Sequence, residues 1–262
     1  MSYETMRYEV ADNVATITFT RPDVANAMSS TCAAEVNEVS REIDSDPNVR
    51  AVVITGEGKM FCAGGDLAEF DAAGDGARNL LLKMTGDLHV GLSRLARNPA
   101  PVIAAVNGTA AGAGFSLVMA CDLAIANESA VFTMAYTKAG LSPDGSSTYY
   151  MPRKIGDRRT RELMLTNRVL SSAEALEWGV VNEVVPDGEA LGTAQALAAK
   201  LASGPTVAFG RVKALLDASF DNALETQMEY EARAIADMIT TDDGKEGLNA
   251  FLNKRKPEFS GR

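Results

Sequence analysis

One histidine, one tryptophan and three cysteines are all that 262 residues contain of those types, and each scarcity removes a class of protein. A lone histidine, His89, rules out a multi-histidine centre. Cys32, Cys62 and Cys121 form no CxxC pair and no Cys/His cluster, so no metal site is expected. An odd, widely spaced set of cysteines suits a reducing, cytoplasmic setting better than a disulfide framework. No run of about 18 apolar residues occurs, so no membrane-spanning helix is expected. The opening MSYETMRYEV lacks the basic and apolar pattern of a secretory leader. Basic residues are also outnumbered. Twenty-five Lys and Arg face 35 Asp and Glu, a net charge of −10, which disfavours nucleic acid and anionic membranes as partners. Two basic clusters, RKIGDRRTR at 153–161 and KRK at 254–256, are expected to be solvated surface.

What is present is ordinary globular composition, 46% hydrophobic and 23% charged. Val14, Thr16 and Thr18 alternate with Ala15, Ile17 and Phe19 beside an Asp12-Asn13 turn, which predicts an antiparallel hairpin. Ala33, Val36, Val39 and Ile43 fall at helical spacing within 29–45. AVVIT at 51–55 and VIAAV at 102–106 are apolar runs typical of strands covered on both faces, and CDLAIA at 121–126 predicts a third. A helix is expected over 78–97, stopped by Pro99 and Pro101. This alternation predicts an α/β fold with a mixed sheet and crossover helices. Ser171 and Glu174 form a capping box for a helix that runs through Trp178 and ends at Gly179. VVNEVV predicts a short strand. From about 189 to 255 the pattern is helical, broken at Gly204-Pro205 and near 220 and 241. The chain divides on this basis into a core over 1–200 and a helical C-terminal region over 201–262. That region is expected to fold over a neighbour or to make oligomer contacts.

Three segments place turn residues directly after apolar strands, where α/β proteins keep their sites. They are TGEGKMFCAGGDL at 55–67, NGTAAGAGFSL at 107–117 and AGLSPDGSSTYYMPR at 139–153. The first two run strand, turn, helix start, and helix starts present unpaired backbone N–H groups. Two such donors converging from separate segments make an oxyanion hole. The same Gly and Ala residues also suit close packing of helix on strand, and the residues alone leave both open. Asp66, in GGDL, reads as an N-cap. Asp144, in Pro-Asp-Gly, reads by itself as a turn residue. His89 lies on a helix near Thr85, Leu92 and Ser93, either packed there or facing a pocket. GTAAGAG lacks the full GxGxxG, which disfavours a nicotinamide dehydrogenase. Cys62 and Cys121 read as small buried apolar residues. Residues 70–90 are weakly patterned, hold two Gly-Asp steps and are expected to shape any pocket.

FCAGGDL, PVIAAVNGTAAGAGFSLVMACDLAIA, FTMAYTKAGLSPDG, ELMLTNRVLSSAEALEWGVVNEVV and GLNAFLNKRKPEF together resemble the enoyl-CoA hydratase/isomerase, or crotonase, superfamily over nearly the whole chain. The resemblance implies a spiral of β-β-α units with a helical C-terminal region, and homotrimers or dimers of trimers. It also implies an acyl-CoA substrate and no cofactor beyond that coenzyme A thioester. By resemblance, the thioester oxygen meets the N–H groups of Gly65 and Ala113. Ala27, Ala63, Asp66, Leu67, Gly112 and Ser116 are set beside the substrate, and Phe251 and Lys254 close on the nucleotide from a neighbouring subunit.

The family's hydratases carry two glutamates. Here those positions hold Ser116 and Tyr136, neither of which can replace a carboxylate: the tyrosine reference pKa, about 10, is far from that of a poised base. Asp144 stands where dienoyl-CoA isomerases and the phenylacetate-pathway ring-epoxide/oxepin-CoA isomerase group carry an aspartate, and FTMAYTKAGLSPDG looks most like the latter. A double-bond or ring isomerase with Asp144 as its base is therefore expected. Two other readings stay open. One is hydrolytic, a 4-chlorobenzoyl-CoA dehalogenase-like or thioesterase activity using Asp144 with His89. The other is a non-catalytic CoA-binding homologue.

Overall fold

A computed structural model describes residues 3–262. Strands β1 (Met6–Ala11) and β2 (Val14–Phe19) pair antiparallel across Asp12 and Asn13, both at positive φ, 49° and 64°. Two consecutive left-handed residues match the right-handed twist of a tight hairpin, and Asp and Asn tolerate that conformation best after glycine. The alternation in β2 does not separate a wet face from a dry one. Five of its six residues are buried, because β2 lies between β1 and β3 (Ala51–Gly56) with protein over both faces.

Helix α1 (Ser30–Ser45) is capped by the Ser29 hydroxyl, which accepts from the Cys32 N–H. From β3 onward the chain repeats one manoeuvre. A long strand is followed by a short one and then by helix. β3, β4 (Met60–Cys62), α2 (Leu67–Ala72) and α3 (Ala77–Arg97) make the first turn of the spiral. β5 (Val102–Val106), β6 (Thr109–Ala111) and α4 (Ala113–Ala120) make the second. β7 (Leu123–Asn127), β8 (Val131–Thr133), α5 (Ser147–Ile155) and α6 (Asp157–Thr166) make the third. β9 (Leu170–Ser171), α7 (Ser172–Trp178) and β10 (Glu183–Val185) complete the core. The long strands and β10 join a sheet of order β1-β2-β3-β5-β7-β10, and the short ones a second sheet, β4-β6-β8-β9. Pairing is parallel except in β1–β2 and β8–β9. This is the β-β-α spiral. The third strand begins two residues later than CDLAIA suggests. Cys121 caps α4, and the Asp122 carboxylate accepts from the Val102 N–H at 2.8 Å and pairs with Lys213 at 2.7 Å.

Phe19, Phe61, Phe115 and Phe132 are buried in one core with α1 and α3. The opposite face of the large sheet is covered by α8 (Ala190–Ala202), through Ala190, Ala194, Ala198 and Ala202 at four-residue spacing. A stripe of methyl groups lets the helix sit close to the flat apolar strands. The first helix of the helical stretch that starts near 189 thus packs on its own sheet, and residue 200 falls inside it. The expected breaks separate α9 (Thr206–Ala218), α10 (Leu224–Met238) and α11 (Asp242–Leu252). The capping box of α7 forms, with Gly179 in the left-handed conformation after it. Residues 70–90 are largely helical, in α2 and α3. The basic clusters are paired within the fold: Arg153 lies 3.6 Å over the Tyr149 ring, Arg161 bonds Asp157 at 2.8 Å and Arg255 bonds Glu246 at 2.6 Å. Among the described residues, no helix is long and apolar enough to cross a membrane.

Candidate active site

Two turns meet at the edge of the small sheet. After β4, residues 63–66 run beside 25–28 as a short parallel bridge. Ala63 N–H donates to Ala25 O (3.0 Å), Met28 N–H to Gly64 O (2.7 Å) and Asp66 N–H to Met28 O (3.0 Å). In this register the Gly65 N–H faces away from the bridge. Among the described residues it finds no acceptor. After β6, Gly112 adopts φ 49° and ψ −122°, a conformation that a Cβ would oppose, and α4 starts at Ala113. The Ala113 N–H is the first of that helix and also lacks a protein acceptor among the described residues. The turns touch: a Cβ placed on Gly64 would lie 3.4 Å from Gly112 Cα and 3.5 Å from Ala113 N. Gly65 and Ala113 both line a cleft of about 330 Å³.

The small residues after β6 serve packing as well. A Cβ on Gly114 would lie 2.3 Å from the Cys62 carbonyl oxygen, so α4 can rest on β4 only without one.

Asp144 lines the same cleft. Its carbonyl accepts from the Ser147 N–H (3.2 Å) and hydroxyl (2.9 Å), closing a turn in which Gly145 and Ser146 both have positive φ. Its Oδ1 accepts from the Tyr136 hydroxyl at 2.5 Å, and Ser116 Oγ lies 3.1 Å from that hydroxyl. Burial, and then the neighbouring Asp144 charge, push the Tyr136 phenol well above its ordinary value, so it stays a donor. Ser116 is fully buried and stands behind Tyr136, outside the cleft lining.

His89 stands half-exposed beside the Asp144 turn. Its Nε2 accepts from the Gly145 N–H at 3.2 Å and lies 3.9 Å from Asp144 Oδ2. His89 lines a separate surface cleft with Asp44 and Arg94, so the imidazole braces the turn from outside.

The remaining sequence candidates divide. Ala63, Leu67 and Gly112 line the main cleft. Asp66 caps α2 through the Glu69 N–H (3.3 Å) and pairs with Arg21 (3.1 Å), which also donates to Ala27 O (2.8 Å). The Asp66 carboxylate is thereby engaged, and Ala27 supports the 25–28 segment without lining the cleft. Phe251, 81% exposed, and Lys254 lie at the end of α11, away from the cleft lining of this chain. Cys62 and Cys121 are buried free thiols, and burial pushes them up to about 11 and about 12.

Residues 70–90, expected to shape the pocket, supply its outer wall. Arg78, Leu81, Leu82 and Thr85 line the cleft from α3, at i, i+3, i+4 and i+7 of one helical face. That spacing was readable, but nothing in it distinguishes a cleft wall from a core stripe. Among the described lining residues Arg78 is the one cation and Asp144 the one anion; the rest is mostly apolar.

Two unpaired main-chain donors, one carboxylate and apolar walls define an acyl-transfer or enolate-type site: the donors can hold charge on a carbonyl oxygen while the carboxylate works on a neighbouring carbon. The family follows. Residues 9–262 match the model of the family described as Enoyl-CoA hydratase/isomerase, and the chain belongs to it. It is 39% identical over 262 residues to a probable enoyl-CoA hydratase of Rhodobacter capsulatus, covering 100% of both chains. It is 38% identical over 254 residues to the 1,2-epoxyphenylacetyl-CoA isomerase of Escherichia coli, covering 97% of each. It is 38% identical over 248 residues to 4-chlorobenzoyl coenzyme A dehalogenase-2 of an Arthrobacter species, covering 94% of this chain and 90% of that one. The crystal structure of a putative enoyl-CoA hydratase from Streptomyces coelicolor superimposes with a TM-score of 0.93 at 36% identity, over 100% of this chain and 96% of that one. The fold is that of crotonase, and the protein is an acyl-CoA enzyme of this family.

Proposed function

We propose that the protein is an acyl-CoA isomerase that moves a double bond or opens a strained ring, with Asp144 as its single base. The observation that carries this is the lone Asp144 carboxylate beside two unpaired N–H groups in one cleft, with hydroxyls, Ser116 and Tyr136, where the hydratase resemblance puts carboxylates. The thioester oxygen would sit on Gly65 and Ala113. Asp144 takes a proton from carbon, and the electron pair left behind moves into the thioester as an enolate. The pair then returns to form the shifted double bond as the same carboxyl gives the proton to a second carbon. One base suffices because nothing is added. Hydration would also need a group to activate and aim a water molecule. Each N–H donor is worth about 3 kcal/mol of barrier, and the base roughly 10²–10⁴-fold in rate.

A second reading is favoured by one distance, 3.9 Å from His89 Nε2 to Asp144 Oδ2. Asp144 would add to a ring carbon and expel its leaving group to give an aryl ester, and His89 would take a proton from the water that hydrolyses this ester and restores the carboxylate. Incubation with 2-enoyl-, 3-enoyl-, dienoyl- and aryl-CoA thioesters in D₂O decides between them. Isomerised product carrying deuterium supports the first reading, release of a leaving group the second, and fast net water addition refutes both.

We further propose that the working form is a homotrimer or a dimer of trimers in the cytoplasm, acting without metal or cofactor. Leu224, Ile235, Phe251 and Leu252 are each at least 70% exposed on the C-terminal helices, a density of apolar surface that favours burial against another copy. Phe251 and Lys254 would then reach a neighbour's nucleotide. Light scattering after gel filtration tests the assembly: a monomer at micromolar concentration refutes it.

A further inference from the structure

We propose that Ser116 and Tyr136 form a hydroxyl chain that ties up one oxygen of Asp144 and leaves Oδ2 as the one atom that carries the substrate proton. This rests on the isomerase reading, since it concerns how that base is aimed. The proton count fixes the direction of the chain. Tyr136 has one hydroxyl proton and directs it at Asp144 Oδ1, 2.5 Å away. Its pKa is raised by burial and by the facing carboxylate, so that proton stays in place. The 3.1 Å contact between the two hydroxyls therefore takes its proton from Ser116. Ser116 Oγ also lies 3.2 Å from the Gly112 carbonyl, but that oxygen already accepts the Ser116 N–H at 2.9 Å, so the single serine hydroxyl proton serves Tyr136. Ser116 is fully buried, with no water-facing surface to turn toward.

Two consequences follow. First, the oxygens of Asp144 differ. Oδ1 is bonded, whereas no donor among the described residues reaches Oδ2, whose neighbour His89 Nε2 is itself an acceptor from Gly145 at 3.9 Å from it. A carboxylate pinned at one oxygen cannot rotate to exchange the two, so removal and return of the proton use the same atom on one face of the substrate. Second, the Ser116 N–H donates at 2.9 Å to the Gly112 carbonyl, which belongs to the same peptide group as the Ala113 N–H. The base and one oxyanion donor are thus held by one rigid unit, and a shift of either moves the other. Tyr136 and Ser116 are positioning residues: they act through Asp144.

The test compares wild type with Tyr136→Phe, Ser116→Ala and the double variant, using a 3-enoyl-CoA thioester in D₂O. Asp144→Asn serves as control. Two quantities are read, the kcat and KM of isomerisation and the deuterium gained per product molecule. A pinned single-atom shuttle returns part of the original hydrogen. The expected result is that Tyr136→Phe lowers kcat by about tenfold or more, leaves KM within about twofold and raises deuterium per turnover. Ser116→Ala should move both readouts the same way by less. The double variant should match Tyr136→Phe alone, because without the phenol the serine has nothing to orient. Ser116→Ala removes one atom, so it carries the same label readout even if the tyrosine variant folds poorly. Unchanged deuterium per turnover in both single variants, or additive losses in the double, overturns the hydroxyl chain while the isomerase reading stands. Full activity in Asp144→Asn, or no isomerisation by wild type, overturns that reading and the chain with it.

Discussion

Gly114→Ala separates the two reasons for the small residues after β6. By backbone entropy and helix propensity alone, alanine near the start of a helix is favoured over glycine by about 0.5–1 kcal/mol. Contact opposes this. The new Cβ would lie 2.3 Å from the Cys62 oxygen, 2.7 Å from Cys62 Cβ and 3.0 Å from its carbonyl carbon. The first is ~1 Å short of ordinary van der Waals contact, and two of the three atoms are backbone of β4, which cannot swing aside. Forcing such a contact into a packed interior costs about 1–3 kcal/mol, so the clash wins and the variant is less stable by about 1–2 kcal/mol. For a chain of this size that is a fall in Tm of roughly 2–8 °C. Function suffers more than stability. Relieving the clash moves β4 and its following turn away from α4, which separates the Gly65 and Ala113 amides by a similar distance. Displacements of ~1 Å in a site cost about 10²-fold in rate. The matched control is Gly86→Ala in α3, where a Cβ meets nothing within 4 Å; there propensity acts alone and stability should rise by about 0.5–1 kcal/mol with activity unchanged. Urea unfolding and the D₂O isomerisation assay on both variants suffice. If Gly114→Ala is as stable as Gly86→Ala and equally active, the close-approach argument is wrong.

Asp144→Asn keeps the oxygen that accepts from Tyr136 and the carbonyl that closes the 144–147 turn, so it should fold with wild-type Tm and KM while kcat falls roughly 10²–10⁴-fold; a variant retaining a tenth of wild-type kcat would remove Asp144 from the mechanism. Burial pushes Cys32, Cys62 and Cys121 up to about 12, 11 and 12, whereas an unfolded thiol titrates near ~8.5. Above that lower value the unfolded chain sheds protons that the folded one keeps, so stability present at neutral pH falls as pH rises through about 9–12; urea midpoints that do not fall between pH 8 and 10.5 would contradict it. Ser116→Glu puts a carboxylate at a fully buried position where a Cβ on Gly145 would already lie 2.9 Å from Ser116 Cβ, so the variant should lose stability and gain no hydratase activity; measurable hydration of a 2-enoyl-CoA would refute the claim that this space has no room for a second acid.

Where the sequence signal was local, it gave the structure well. The hairpin at Asp12-Asn13, the strands at 51–56 and 102–106 and the capping box at Ser171 each depend on residues close in sequence, with strong conformational preferences. The candidate site was legible to the same depth: the turns after β4 and β6 could be picked out because glycine clusters directly after apolar strands. What the residues alone could not give was convergence. That Gly64 touches Gly112, or that Tyr136 reaches Asp144, is set by how the two sheets stack. The sheet-covering role of α8 was hidden for a related reason. Its alanine stripe has no bulk to mark a buried face, so it looks like any helix of a solvent-side bundle, yet small side chains are what close contact with a flat sheet needs. Which side chains of 70–90 face the cleft was hidden for the opposite reason: a cleft-lining stripe and a core-facing stripe have the same period.

The hydroxyls at 116 and 136 and the carboxylate at 144 depend on one another. A partly buried carboxylate is favoured when something donates to it, and here the donor is a phenol 2.5 Å away. Were Tyr136 a second carboxylate, Asp144 would face a like charge instead of a donor. Were Ser116 acidic, its charge would lie against the Gly112 carbonyl, whose own partial negative charge repels it. With Asp144 in place, the site therefore favours neutral donors at both other positions. The reverse also holds: without Asp144, a buried tyrosine hydroxyl beside a buried serine would lose its strongest acceptor. In this chain, then, neutral hydroxyls at 116 and 136 keep the negative charge of the three positions on Asp144 alone.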